Sequence, residues 1–192
     1  MALEELKGFD DPSPELEQYT TPTPLASALL DFASNHGDVD DKDMLDLGCG
    51  TGVLTVGAAL LGGSAVGVDI DGGALAKARA NAERAGVEGG DGFVRADVSR
   101  LPVVDKSFDT VVMNPPFGAQ KRGADRPFLR AAERVADVSY SIHNAGSLGF
   151  VEDFIGGEVT HAFETTVELD RRFEFHEEES REIKVEVYRT VF

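Results

Sequence analysis

The chain has 192 residues, 42% of them hydrophobic, which suits one compact domain and excludes a disordered chain. Asp and Glu total 35 against 18 Lys plus Arg, a formal net charge of −17, so long-range attraction to phosphate cannot drive binding to nucleic acid. The single Cys49 leaves no internal disulfide and no multi-cysteine metal site, no apolar run approaches a membrane span, and the acidic start Met1–Leu6 has no leader-like apolar core, so a reducing cytoplasm is expected and no metal.

Thr20-Thr21-Pro22-Thr23-Pro24 forces extended backbone and then permits a helix start; Leu25, Leu29, Leu30 and Phe32 carry that helix from Pro24 to about His36. Met44–Leu47 reads as a short strand, broken by Gly48, Gly50 and Gly52, and Val53 to Leu61 as a small-residue helix. Ala65–Asp69 is a second strand; the stripe Leu75, Ala78, Ala82, Ala85 marks a helix that Asp71 caps and Gly86 ends. Gly92–Asp97 and Phe108–Met113 follow as strands, the latter apolar enough to be buried on both faces. Asp125 can cap a helix to about Ala136, Val138–His143 is a fifth strand, and a short helix lies near Val151–Ile155. Phe163, Thr165, Val167 and Leu169 alternate, as do Ile183, Val185, Val187 and Val191, which predicts an antiparallel pair joined by an acidic connection. Alternating β and α with a hairpin finish gives an α/β fold with a seven-stranded, mostly parallel sheet, an order of elements that resembles the Rossmann-like class I methyltransferase arrangement, in one domain over residues 1–192.

Asp46-Leu47-Gly48-Cys49-Gly50-Thr51-Gly52 stands where a strand hands over to a helix, and its glycines let a ligand lie against main chain without Cβ clashes. Dinucleotide enzymes place a third glycine three residues after the second, where this chain has Val53. An acid entering the loop suits instead a cofactor with a cationic amino group and a sulfonium, and Asp46 supplies that charge. Asp69, ending the second strand, is placed to accept two ribose hydroxyls; Asp97, ending the third, can accept an adenine amino group beside the Val98 amide. Three acids on successive strand ends together with the loop predict an S-adenosylmethionine site. Cys49 is expected to be a small packing residue.

Asn114-Pro115-Pro116-Phe117 follows the fourth strand at the carboxyl edge of the sheet, where ligands bind. An amino group on an aromatic ring shares its lone pair with the ring and is a poor nucleophile. Two acceptors gripping its hydrogens, the Asn114 side chain and the Pro115 carbonyl, can draw it toward tetrahedral geometry and stabilise the charge that develops. Pro115 and Pro116 hold the backbone still, and Phe117 offers a face for the target base, worth about 1–3 kcal/mol by analogy with single-strand binders.

With these motifs the chain resembles the methyltransferase-like protein 5 family of small-subunit rRNA N6-adenine methyltransferases, through Leu16-Glu17-Gln18-Tyr19-Thr20-Thr21-Pro22, the glycine loop, Val66–Asp71, Ser107–Gly118, Gly123-Ala124-Asp125, Val138–His143 and the last strand. The resemblance implies cofactor contacts at Gln18, Thr21, Gly48, Thr51, Val53, Asp69, Asp97 and Val98, to which the loop adds Asp46 and Gly50, so that residues 1–23 form an extension contributing to the cofactor site. It implies catalysis at Asn114 to Phe117. It also implies a small zinc-containing activator of the Trm112 type that adds a strand to the sheet, with the third strand as the receiving edge. The composition, with Arg outnumbering Lys, resembles that of proteins from halophilic archaea.

One departure concerns Phe173-Glu174-Phe175-His176-Glu177-Glu178-Glu179, where related proteins tend to carry lysines; three successive glutamates would repel phosphate. The remaining basic candidates for RNA are Lys121, Arg122, Arg126, Arg130, Arg171 and Arg172, with Lys121 and Arg122 favoured for their place beside the catalytic loop. His143 and His176 are read as structural. Two other readings stay open. A protein N5-glutamine methyltransferase poses the same problem of a weakly nucleophilic amide, although such enzymes usually carry Tyr where this chain has Phe117. A non-catalytic RNA-binding subunit is the reading of another class, opposed by the intact acids and Asn114. A DNA adenine methyltransferase would want a separate target-recognition domain.

Overall fold

The alternation of apolar runs and helical stripes is realised as an α/β sheet closed by a hairpin, in a computed structural model that describes residues 2–10, 12–87, 92–118, 121–170 and 180–192. In chain order the elements are α1 (Thr23–Asn35), β1 (Asp43–Leu47), α2 (Val53–Leu60), β2 (Ser64–Asp69), α3 (Gly72–Arg84), β3 (Phe93–Arg95), β4 (Phe108–Met113), α4 (Arg126–Val135), β5 (Ala136–Asn144), α5 (Leu148–Phe154), β6 (Glu158–Asp170) and β7 (Ser180–Val191). Short 3₁₀ turns occupy Ala2–Glu5, Pro14–Leu16 and Val98–Arg100.

The seven strands form one sheet in the order β3-β2-β1-β4-β5-β7-β6. Pairs from β3 through β5 are parallel, while β7 runs antiparallel to both β5 and β6. This is the Rossmann-like arrangement expected from the pattern, with β3 at one edge. Strand periodicity sorts the core into two faces. Met44, Val112, Tyr140 and Ile142 pack with α1 and α2 on one side; Leu45, Leu47, Val111 and Met113 pack with α4 and α5 on the other. On α1 the buried stripe is Leu25, Ala26, Leu29, Leu30 and Ala33, and each full leucine burial contributes about 1.5–3 kcal/mol. A third cluster joins Leu3 and Val56 to Leu75, Ala78 and Ala82 of α3, so the N-terminal turn is anchored in apolar contacts.

Polar ties set the remaining geometry. Arg189 on β7 donates through Nε to Asp38 Oδ2 (2.8 Å), which also accepts from Tyr140 Oη (2.6 Å), so the loop after α1 is pinned to β5 and β7. Asp71 caps α3 by accepting from the Gly73 amide (2.8 Å), as the sequence suggests. Two expectations are corrected. Asp125 does not cap α4 through its side chain: it already has helical backbone angles, and the amide of Arg126 finds its partner in the Gly123 carbonyl (3.2 Å) of the preceding turn. The third strand is shorter than Gly92–Asp97, because the Asp97 carboxylate accepts from the amide (2.9 Å) and hydroxyl (2.7 Å) of Ser99 and turns the chain away. The acidic connection Phe173–Glu179, His176 within it, and Arg171 and Arg172 lie outside the described residues.

Candidate functional site

The chain winds outward from β1 to β3 and then returns to the other side of β1 as β4, and a sheet of this kind opens a crevice at the carboxyl ends of its strands where the order reverses. A cleft of about 380 Å³ lies there, within the range usual for small-molecule sites. Its walls come from the 48–53 loop, the ends of β2 and β3, the 114–116 segment, the first turn of α4 and the stretch before α1.

The glycine loop has the conformation its composition demands. Gly48 (φ 71°) and Gly50 (φ 53°) are left-handed, and a Cβ on either would stand 2.7 Å from Phe128 Cε1 or 2.9 Å from Phe9 Cζ. Those two rings line the cleft, so the loop presents bare main chain to a space bounded by aromatic surface. The amides of Gly48 and Cys49 both donate to the Val68 carbonyl (2.8 and 2.9 Å), which holds the loop against β2. Cys49 is buried, and burial pushes its thiol well above the ordinary range.

The three acids do different things. Asp69 lines the cleft; its Oδ2 accepts from the Gly50 amide (2.8 Å) and its Oδ1 from the Asp71 amide (2.9 Å), and each oxygen keeps further acceptor capacity. Burial raises its pKa against the pull of those amides. Asp97 and Val98 also line the cleft, and the Ser99 hydroxyl and amide hold the Asp97 carboxyl below its usual range. Asp46 does not reach the cleft wall. It is 1% exposed behind the loop, with Oδ2 accepting from the Thr55 amide (3.0 Å) and hydroxyl (2.6 Å), and Oδ1 is a buried atom without a hydrogen-bond partner. Burial pushes its pKa up to about 7.

At the end of β4, Asn114 and Pro116 face the cleft, while Pro115 is buried and neither Pro115 nor Phe117 lines it. Phe117 is half-buried against the α1–α2 side of the core, its ring 5.6 Å from that of Tyr19 and tilted by 48°. The residues before α1 form a strap over this end of the cleft. Gln18 donates through Nε2 to Asp71 Oδ2 (2.8 Å) and accepts from the Ser13 amide (2.8 Å) through Oε1, so the Asp71 carboxyl is held low chiefly by Gln18. Asn114 donates through Nδ2 to Thr21 Oγ1 (3.0 Å) and accepts from Tyr19 Oη (3.2 Å). Gln18, Thr21, Gly48, Gly50, Thr51, Val53, Asp69, Asp97 and Val98 therefore share one cleft with Asn114.

Sequence reasoning gave no role to Tyr19, Phe9 or Phe128, and confined Asp71 to capping. A signal existed for Tyr19, since Glu17, Tyr19 and Thr21 alternate ahead of a helix that needs none of them. Of the basic candidates, Lys121 lines the cleft, Arg122 is exposed beside it, and Arg126 and Arg130 lie over Phe154 (5.6 and 4.4 Å to its centroid). His143 is buried, 2.9 Å from Ser141 Oγ and stacked on Tyr188 (5.3 Å), a structural setting in which burial lowers its pKa to about 4. Among the described residues there is no cluster of His, Cys, Asp and Glu able to hold a metal, and no helix is long and apolar enough to cross a membrane.

Comparison with known proteins places this cleft in a family context. A methyltransferase domain model matches residues 44–138. The rRNA N(6)-adenosine-methyltransferase Mettl5 of Drosophila melanogaster is 36% identical over 97% of this chain and 92% of its own length. METTL5 of Danio rerio, with the same described activity, is 35% identical over 97% and 94%. A candidate RNA methyltransferase from Pyrococcus horikoshii, known as a crystal structure, superposes with a TM-score of 0.89 at 41% identity, covering 99% of this chain and 94% of that one.

Proposed function

The chain belongs to the METTL5 family of rRNA N(6)-adenosine-methyltransferases, and from that premise we propose that it transfers a methyl group from S-adenosylmethionine to N6 of an adenine in small-subunit rRNA. The observation that carries the reading is the position of Asn114, whose carboxamide stands on the wall of the cleft formed by the glycine loop and the strand-end acids. The donor set suits an adenosyl cofactor: bare main chain at Gly48 and Gly50, carboxylates at Asp69 and Asp97, the Val98 amide, and aromatic surface from Phe9 and Phe128. Gln18, Thr21, Thr51 and Val53 complete its enclosure, and Asp46, behind the loop, braces the start of α2 through its bonds to Thr55. The cofactor supplies an electrophilic methyl carbon on a sulfonium.

The chain's own residues orient the acceptor. Asn114 Oδ1 and the Pro115 carbonyl accept the two amino hydrogens, which localises the nitrogen lone pair and stabilises the positive charge that develops on attack. No strong base is required beforehand, since the amino group becomes acidic once alkylated and its proton then passes to water. Pro116 stiffens the segment. Phe117, in ring contact with Tyr19 and outside the cleft wall, stacks on the target base only if the base approaches from the Tyr19 side, while Lys121 and Arg122 meet its flanking phosphates. Proximity then supplies much of the rate.

The same reading assigns the whole chain to one methyltransferase domain, residues 1–23 acting as an extension that completes the cofactor site. A Trm112-type activator pairs with the edge of β3, where Val94 is 43% exposed, and adds the strand that this three-residue edge lacks. A net charge of −17 fits a cytoplasm dense in salt, where counterions screen the protein's repulsion of RNA. The test is nucleoside mass spectrometry on small-subunit rRNA incubated with this protein, S-adenosylmethionine and a Trm112-type partner in molar KCl. New N6-methyladenosine at one site is the expected result. Methyl label on a release-factor glutamine, with none in RNA, would make this a glutamine methyltransferase.

A further inference from the structure

Alternate residues of the strap meet one target. Glu17 Oε2 accepts from the Gly118 amide (3.1 Å), Tyr19 Oη donates to Asn114 Oδ1 (3.2 Å), and Thr21 Oγ1 accepts from Asn114 Nδ2 (3.0 Å). Gln18, between them, turns away to Asp71. The strap therefore grips the segment 114–118 at both ends while its other side holds the N-cap of α3.

We infer that Tyr19 is a positioning residue that fixes which face of the Asn114 carboxamide meets the acceptor nitrogen. The inference rests on Asn114 acting as a hydrogen acceptor in methyl transfer. A carboxamide turned half-way round its last torsion exchanges its oxygen for an NH2 in nearly the same place, and an NH2 aimed at a substrate amino group repels it. Two hydroxyls flank Asn114, and either could in principle donate or accept. They are not equivalent: a phenol is the stronger donor and weaker acceptor, an aliphatic hydroxyl the better acceptor. Phenol to Oδ1 and Nδ2 to Thr21 is thus the favoured pairing, and it leaves Oδ1 with a second lone pair for the substrate. Burial, with Glu17 nearby, keeps the Tyr19 phenol protonated far above neutral pH, so the donor persists under any working condition. The ring is held independently by its contact with Phe117.

Tyr19→Phe retains that ring contact and removes the donor alone. We expect kcat for methyl transfer to fall about 10- to 100-fold, the range that misorientation of a catalytic group produces. Tyr19 lines the cleft, and the variant keeps its ring there, so cofactor Kd and the KM for RNA should stay within about twofold. A spectroscopic readout separates positioning from mere support: the side-chain amide NMR pair of Asn114, identified by its loss in Asn114→Ala, should shift in Tyr19→Phe. An unchanged kcat overturns the inference, as does an unmoved Asn114 amide pair, or a fall in cofactor affinity and melting temperature that matches the fall in kcat. If wild type labels a glutamine peptide and not rRNA, the substrate assignment fails, and the same variant assayed on that peptide still decides the role of Tyr19.

Discussion

Asp46→Asn is the perturbation whose consequence can be worked furthest from the geometry. The carboxyl is almost fully enclosed, one oxygen taking two bonds from Thr55 and the other taking none. Burial pushes its pKa up to about 7 from the ordinary carboxylate value of 3.8. Because the folded value lies above the unfolded one, the native state binds the extra proton between those limits, and this group destabilises the fold progressively as pH rises through the window. From pH 5 to pH 7 the loss grows by two units of about 1.4 kcal/mol each, or about 3 kcal/mol. Asparagine can accept both Thr55 bonds but leaves its NH2 unpaired, a cost of about 1–3 kcal/mol that does not vary with pH. The expected result is therefore a slope: urea unfolding of both proteins at pH 5, 6 and 7.5, in constant high KCl, should show the variant gaining about 3 kcal/mol on wild type across the series. A difference that stays flat with pH would mean that Asp46 is already ionised at pH 5, and the reasoning from its burial would be wrong.

Other expectations concern the cleft and the core. Asn114→Ala should lower kcat by about 10²–10³-fold with cofactor affinity by isothermal titration unchanged; a parallel loss of binding would give Asn114 a cofactor role instead. Asp69→Ala should weaken cofactor binding about tenfold or more, because it removes charged acceptors and the brace on the Gly50 amide, and an unaltered Kd would move the ribose contact elsewhere. His143, with its pKa lowered to about 4, works in the opposite sense to Asp46. Its contribution is complete above pH 6.5 and is lost as pH falls toward 4, about 3 kcal/mol in all. His143→Gln should flatten that part of the stability profile, and an unchanged acid limb would show that the imidazole is protonated without penalty.

Most of the sheet was legible because parallel strands buried on both faces read as short apolar clusters, as Val111–Met113 does and as Met44, Leu45 and Leu47 do around Asp46. The two misreadings have local causes. A Ser two residues beyond Asp97 captured its carboxylate and ended β3 early, and a helical turn ahead of Asp125 removed the need for a side-chain cap. In the site, the loop was legible because left-handed backbone at Gly48 and Gly50 leaves its mark on residue choice. The depth of Asp46 was not, since nothing in a linear reading shows that Thr55, nine residues on, draws the carboxyl inward. Nor were the strap contacts, which join residues 93, 95 and 101 positions apart and leave no periodic trace.

The order of the last three strands bears on what happens to a chain that is cut short. β7 follows β6 in the chain, yet it lies inside the sheet, between β5 and β6. Among the described residues β6 pairs with β7 alone. A nonsense codon at position 180 would thus remove one strand from the message and two from the sheet, and would also delete Arg189, the anchor for Asp38 and Tyr140. The nine-residue β5 would be left with an open side, a template for pairing with other chains. Such products should appear in the cell as aggregate and degradation targets rather than as weak enzymes, so a small genetic lesion at the far end would present as complete loss of the protein.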